Sequence, residues 1–96
     1  MARYDLRSTS RFLRELRALR RSGQVALLER IGRVLHRLED DPYRPRPGVD
    51  IKRLRVTGEG VFRVRVGDYR ILYEVERERR IIVVTSLFHR GAGYDL

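Results

Sequence analysis

Along residues 12–38 the apolar positions recur every three or four residues; along residues 51–88 they alternate or run together. The first period is that of a helix face, the second that of strands. Phe12, Leu13, Leu16 and Leu19 make one helical stripe. Ser8, Thr9 and Ser10 stand ahead of it as candidate N-caps, because a short hydroxyl side chain can accept from a free backbone N–H of the first turn. Ser22-Gly23 ends it, glycine tolerating the left-handed closing residue. Residues 24–38 predict a second helix with Val25, Leu28, Ile31, Leu35 and Leu38 on its inner face, widened by Leu27 and Val34. Gly32 in its middle costs about 1 kcal/mol relative to alanine, and a close helix–helix crossing would account for it. So short a turn makes the two helices an antiparallel hairpin.

Around the helices the pattern is that of strands. Residues 3–7 alternate and predict a short first strand. Residues 40–50 hold Pro42, Pro45, Pro47 and Gly48, which forbid helix and central strand and predict a loop. A strand is expected over 51–56 and a turn over 57–60. Phe62, Val64 and Val66 then alternate with Arg63 and Arg65, which puts the apolar trio on one face and the arginines on the other. Gly67-Asp68 predicts a hairpin turn. Beyond it Ile71, Tyr73 and Val75 alternate with Arg70, Leu72 and Glu74. Residues 76–80 read as a charged turn, and the apolar run 81–88 as a strand central in its sheet. The order β-α-α-β-β-β-β predicts an α+β fold: two N-terminal helices packed on one face of a mainly antiparallel, four- to five-stranded sheet. The other face is expected to be partly open and to carry arginines. A chain of 96 residues reads as one domain, 1–96.

Charge adds a partner class to this picture. The formal net charge is +9, and of 22 basic residues only Lys52 is lysine. A preference for arginine codons explains the missing lysines but not the excess of positive charge. That excess favours an anionic partner, a nucleic acid or an acidic protein segment, and guanidinium gives planar, bidentate contacts to phosphate and carboxylate. There is no cysteine, which excludes disulfides, thiolate zinc sites and cysteine nucleophiles and fits a cytoplasmic protein. No apolar run approaches the roughly 20 residues that span a bilayer, so no membrane role is expected. The basic, serine-containing start resembles a transit peptide faintly, but Asp5 and Glu15 interrupt it, and no secretory leader is read.

Candidate chemistry narrows to the strand arginines. His36 and His89 are the only histidines and show no metal-ligand spacing; His36 reads as a surface helix residue. No glycine-rich phosphate loop or serine nucleophile elbow is present, so neither a metal nor a cofactor is expected. Arg63, Arg65 and Arg70 lie on strands joined by a tight turn, and His89, Arg90 and Tyr94 follow the last strand. A sheet that brings that strand beside the hairpin would assemble a cationic cluster edged by an imidazole and a phenol. Adjacent guanidiniums repel, and a fold accepts that cost more readily where an anion uses them. The alternative is an open face of solvated or ion-paired arginines.

The segment Phe62-Arg63-Val64-Arg65-Val66-Gly67-Asp68-Tyr69-Arg70-Ile71-Leu72-Tyr73-Glu74-Val75 resembles the signature of RelE-type toxins of the RelE/ParE superfamily. Upstream, Lys52-Arg53-Leu54 followed by Gly58 resembles the family's basic-Leu element; downstream, His89-Arg90-Gly91-Ala92-Gly93-Tyr94 resembles its closing His-Arg-x-x-x-Tyr. No single piece is specific; three in order at family spacing are. The resemblance implies the toxin of a type II toxin–antitoxin pair, a ribosome-dependent endoribonuclease that cuts mRNA by 2′-OH attack without metal. It implies that Arg63 and Arg65 contact the scissile phosphate, that Arg70 stabilises the transition-state charge and that Arg90 positions substrate. Tyr94 would stack or assist proton transfer, His89 would be a possible acid, and Lys52 and Arg53 would bind substrate. Its partners would be a cognate antitoxin, the ribosome and mRNA, with DNA met only indirectly through the antitoxin complex. Some relatives carry lysine at the positions of Arg63 or Arg65. Arginine is no base, so proton removal would fall to His89, Tyr94 or the ribosome. Two other functions remain open: a ParE-like inhibitor that binds DNA gyrase without catalysis, and a basic module that binds structured nucleic acid.

Overall fold

In the computed structural model, residues 3–54 and 60–91 are described. The elements follow the predicted order: β1 (Asp5–Ser8), α1 (Ser10–Arg21), α2 (Val25–Leu38), β2 (Asp50–Arg53), β3 (Val61–Val66), β4 (Tyr69–Glu76) and β5 (Ile81–His89). They form one five-stranded sheet in the order β1-β5-β4-β3-β2. β1 runs parallel to β5, and every other neighbour is antiparallel. The apolar β5 is thus enclosed by strands on both sides, as its composition predicts. The expected turn over 57–60 and the end of the expected strand over 51–56 lie largely outside the described residues.

Local chemistry fixes where α1 starts and how it sits. Thr9 caps it by accepting from the Phe12 N–H at 3.1 Å, and its hydroxyl donates to the Thr85 carbonyl at 2.9 Å. Glu15 accepts from the Leu87 N–H at 2.9 Å, at a point on β5 past the end of its pairing with β1. One face of the sheet is packed under the helices. Phe12, Leu19, Ile31 and Leu38 meet Ile51, Phe62, Val64, Val66, Ile71, Tyr73, Ile82, Val84 and Leu87 in a single buried cluster. The Tyr73 hydroxyl donates to the Pro42 carbonyl at 2.7 Å, which ties the proline-rich loop to the core. Among the described residues no helix is long and apolar enough to cross a membrane.

Two details of α2 depart from expectation. Val25 is 62% exposed, and the buried stripe begins further along, with Ile31 and Leu38 at its centre. Gly32 does not mark a close crossing: it is exposed, and a Cβ added there would meet nothing within 4 Å.

A further departure decides the faces of β5. Leu72 pairs with Ser86, but Tyr73 pairs with Val84, leaving Thr85 as an extra residue. Its hydroxyl donates to the Leu72 carbonyl at 3.1 Å. Because side chains alternate with period two, one extra residue exchanges the faces of everything beyond it. Ile82 and Val84 point to the helices before the bulge. After it Leu87 and His89 do so, while Ser86 and Phe88 take the opposite face.

Candidate functional site

β3 and β4 meet at Gly67-Asp68, with Val66 opposite Tyr69. Gly67 has φ +60°, the positive value that a two-residue hairpin turn needs at its first central position. This tight turn sets the register that places Arg65 directly across from Arg70. Arg63, two residues along β3, shares their face and has Lys52 of β2 across from it. The sheet therefore brings Lys52, Arg63, Arg65 and Arg70 together on the side away from the helices.

This face is not the bare, solvated surface that alternation alone suggests. Arg63 is only 7% exposed, and Leu54, Ser86 and Phe88 on the same side are also buried. One carboxylate serves two arginines: Asp50 lies 3.4 Å from Arg63 Nη1 and 3.8 Å from Arg65 Nη1. Arg63 Nη1 also donates to the Asp50 carbonyl at 3.2 Å. Burial holds Arg63 below the ordinary arginine value; Asp50 works against that, and repulsion from Arg65 and Arg70 adds to it. Among the described residues, Arg63 Nε, Arg70 Nε and Arg70 Nη1 are buried and find no hydrogen-bond partner. Leaving a buried donor unsatisfied costs on the order of 1–3 kcal/mol. Directly opposed like charges add to that cost. The arrangement offers a set of fixed N–H donors with excess positive charge, which is what an anion needs.

The remaining expected residues divide. Arg90 sits at the hairpin end: its N–H donates to the Asp68 carbonyl at 2.8 Å, and its Nε lies 3.8 Å from the Asp68 carboxylate. His89 does not join the arginines. The bulge turns it to the helix side, where its ring meets Tyr69 edge-on at 5.2 Å. Arg53 is also on the helix side, opposite Phe62, in a cavity with Tyr43 and Arg77. Tyr94 lies outside the described residues. Asp50 was not expected as part of the site; only the pairing of β2 with β3 reveals it, since nothing near it in sequence is an arginine of the cluster.

Residues 6–94 match the family described as ParE toxin of type II toxin–antitoxin system, parDE. The chain belongs to the RelE/ParE toxin superfamily. It is 30% identical over 92 residues to RelE1 of Methanocaldococcus jannaschii, covering 96% of each protein. Its fold is similar to that in the archaeal RelE–RelB complex from Pyrococcus horikoshii, with a TM-score of 0.78 and 29% identity over 97% of this chain and 100% of that one. It is also similar to the RelBE2 toxin–antitoxin complex from Mycobacterium tuberculosis, with a TM-score of 0.73 and 28% identity over 92% of this chain and 99% of that one. Two helices on a five-stranded mixed sheet are thus the RelE-like fold. In this RelE/ParE toxin, the strand arginines lie on the face left free by the helices.

Proposed function

We propose that this toxin is an endoribonuclease acting on mRNA in the ribosome. The observation that carries the reading is the cross-strand cluster of Arg63, Arg65 and Arg70, with buried, unpartnered N–H groups on Arg63 and Arg70. The RNA 2′ oxygen attacks the adjacent phosphorus, the bond from phosphorus to the 5′ oxygen breaks, and the products are a 2′,3′-cyclic phosphate and a 5′-hydroxyl. The proton of the 2′-OH passes to a base, and the leaving 5′ oxygen takes up a proton. Negative charge grows on the phosphoryl oxygens meanwhile. Donors already fixed at that place stabilise it with little reorganisation, and such terms are commonly the largest in catalysis. In this reading Arg63 and Arg65 hold the phosphate, Arg70 answers the developing charge, and Lys52 and Arg90 bind the flanking strand. None of these arginines is a base, and His89 faces the other side of the sheet, so proton transfer falls to Tyr94 or to groups of the ribosome.

The cognate partner is an antitoxin, as in the similar complexes. Its toxin-binding segment is acidic or amphipathic, and its encounter with this +9 chain slows as salt rises. A second reading is favoured by one finding, the match of residues 6–94 to the ParE toxin family: inhibition of DNA gyrase by binding alone. Expression in a bacterial host, with mRNA 5′ ends mapped and gyrase supercoiling assayed in parallel, separates the two. New 5′ ends in translated mRNA with normal supercoiling support the nuclease. Blocked supercoiling with intact mRNA supports the gyrase reading instead.

A further inference from the structure

Between α2 and the β3–β4 hairpin lies a second cationic feature, which meets the arginine face at Arg65. Arg30, Arg33 and Arg37 of α2 line a groove of about 280 Å³ whose far wall includes Arg65 and Val66 of β3. Among the described residues, none of these three helix arginines has a carboxylate within ion-pair distance, whereas eight arginine–carboxylate pairs form elsewhere. Two of them are seated against turns. Arg37 Nη1 donates to the Pro47 carbonyl at 2.6 Å, and a Cβ at Gly48 would come within 2.7 Å of the same nitrogen. Arg30 Nη1 would stand 3.2 Å from a Cβ at Gly67. The guanidiniums are thus placed along roughly two turns of helix, about 10 Å.

Arg30 also borders a neighbouring cavity of about 420 Å³ that contains Tyr69 and His89. The two cavities share Arg30: one holds the pair of rings, and the other holds three helix guanidiniums without a carboxylate partner and borders Arg65, which is itself part of the strand cluster. Proteins that hold single-stranded nucleic acid combine these two features: a cationic groove that tracks the backbone and ring faces on which bases stack. An acidic peptide would use the charges but has no need of the rings.

We propose that this groove binds single-stranded RNA flanking the phosphate held by the strand arginines, with its backbone along Arg30, Arg33 and Arg37 and a base against Tyr69 and His89. The inference rests on the reading of the chain as an RNA-cutting toxin. It gives His89 a contact with substrate away from the scissile bond, in place of an acid's role.

The test is binding of a short, fully 2′-O-methylated oligoribonucleotide, which lacks the attacking hydroxyl, followed by fluorescence anisotropy across a range of salt. Each phosphate contact on a single strand contributes about 0.7 to the slope of log affinity against log salt. The Arg30→Ala/Arg33→Ala variant should bind more weakly, with a slope shallower by roughly 1.4. The Arg17→Ala/Arg20→Ala variant loses the same charge from exposed positions of α1 and should keep the wild-type slope. Equal slopes for the groove variant and wild type would overturn the proposal. So would a polyglutamate peptide that binds as tightly as the oligonucleotide and loses affinity equally in the groove variant. Cleavage of ribosome-bound mRNA is read separately: a wild-type protein that does not cut removes the nuclease reading, while the anisotropy still decides the groove.

Discussion

The two faces of the β3–β4 hairpin are built from the same strands and obey opposite rules. Toward the helices, Phe62 lies against Tyr73 with ring centroids 5.5 Å apart and planes 16° from parallel. Val64, Val66 and Ile71 are almost fully buried beside them. The polar group of Tyr73 at the centre, its hydroxyl, has its partner in the Pro42 carbonyl. Burial pushes that phenol well above its ordinary value, so it remains a donor. On the other face, like charges stand directly opposite one another and three buried nitrogen atoms lack partners. The first face lowers the free energy of the fold; the second raises it, a cost that the proposed function would offset by holding a phosphate there. Stability and activity should therefore separate when the two faces are mutated in turn.

The largest effect on stability is expected at Phe62. Phe62→Ala removes a ring from the centre of the core, and such truncations cost roughly 3–5 kcal/mol, measurable by denaturant unfolding. The complementary change is Arg70→Met, which keeps much of the side-chain volume and removes the charge. Losing one donor to developing charge typically lowers the rate by about 10²–10³, read as cleavage of ribosome-bound mRNA. Stability should be unchanged or higher, because two buried unpartnered nitrogens disappear. A loss of stability in Arg70→Met comparable to that of Phe62→Ala would break the comparison, since the arginine face would then be holding the fold together.

How much of this was legible in the sequence follows from how local each determinant is. Alternation in residues 62–75 assigned Phe62, Val64, Tyr73 and the three arginines to the correct faces, because period two within one strand is a local property. Glycine before aspartate marks the hairpin turn; the pairing of Arg65 with Arg70 that this turn sets is seen in the structure. The sequence places His89 only at the edge of the cluster: its face depends on the bulge at Thr85, and an apolar run such as Ile81–Phe88 carries no alternation from which to read a one-residue slip. The family resemblance groups Arg53 with Lys52 as substrate-binding, but adjacent residues on a strand point to opposite faces. Asp50 belongs to the site through cross-strand register alone. Burial of Arg63 is a tertiary property of the assembled face, and no pattern in the sequence announces it.

Gly32 offers a smaller test of the same distinction between local and tertiary determinants. A mid-helix glycine suggests a steric demand, yet the position is exposed and open. Its helical backbone suits alanine, and the gain from removing glycine's backbone freedom is about 1 kcal/mol. Gly32→Ala should raise the unfolding free energy by that amount and leave cleavage unaltered. A destabilised variant would mean that another chain packs closely at this point on α2.

The smallest effect is expected in the loop that links the helix hairpin to the sheet. The Asp41 carboxylate accepts from the Tyr43 N–H at 2.9 Å and the Arg44 N–H at 3.2 Å, and lies 3.4 Å from the Arg44 guanidinium. Burial works against its ionisation, but the two N–H groups and the charges of Arg46 and Arg44 outweigh it and hold the carboxyl below the ordinary aspartate value. A carboxyl depressed in the folded state releases its proton more readily there than in the unfolded chain. Its contribution is therefore fully present above about pH 4, the ordinary aspartate range, and is lost as pH falls through the depressed folded value. Asp41→Asn keeps an acceptor for the two N–H groups and removes the charge. With the carboxylate a third exposed, solvent screening limits the difference to less than about 1 kcal/mol. Thermal unfolding of the two proteins should differ slightly at pH 6 and converge as the pH is lowered toward 2. A gap that persists undiminished in acid would show that the hydrogen-bond geometry of the aspartate, and not its charge, is what secures the loop beneath Tyr73.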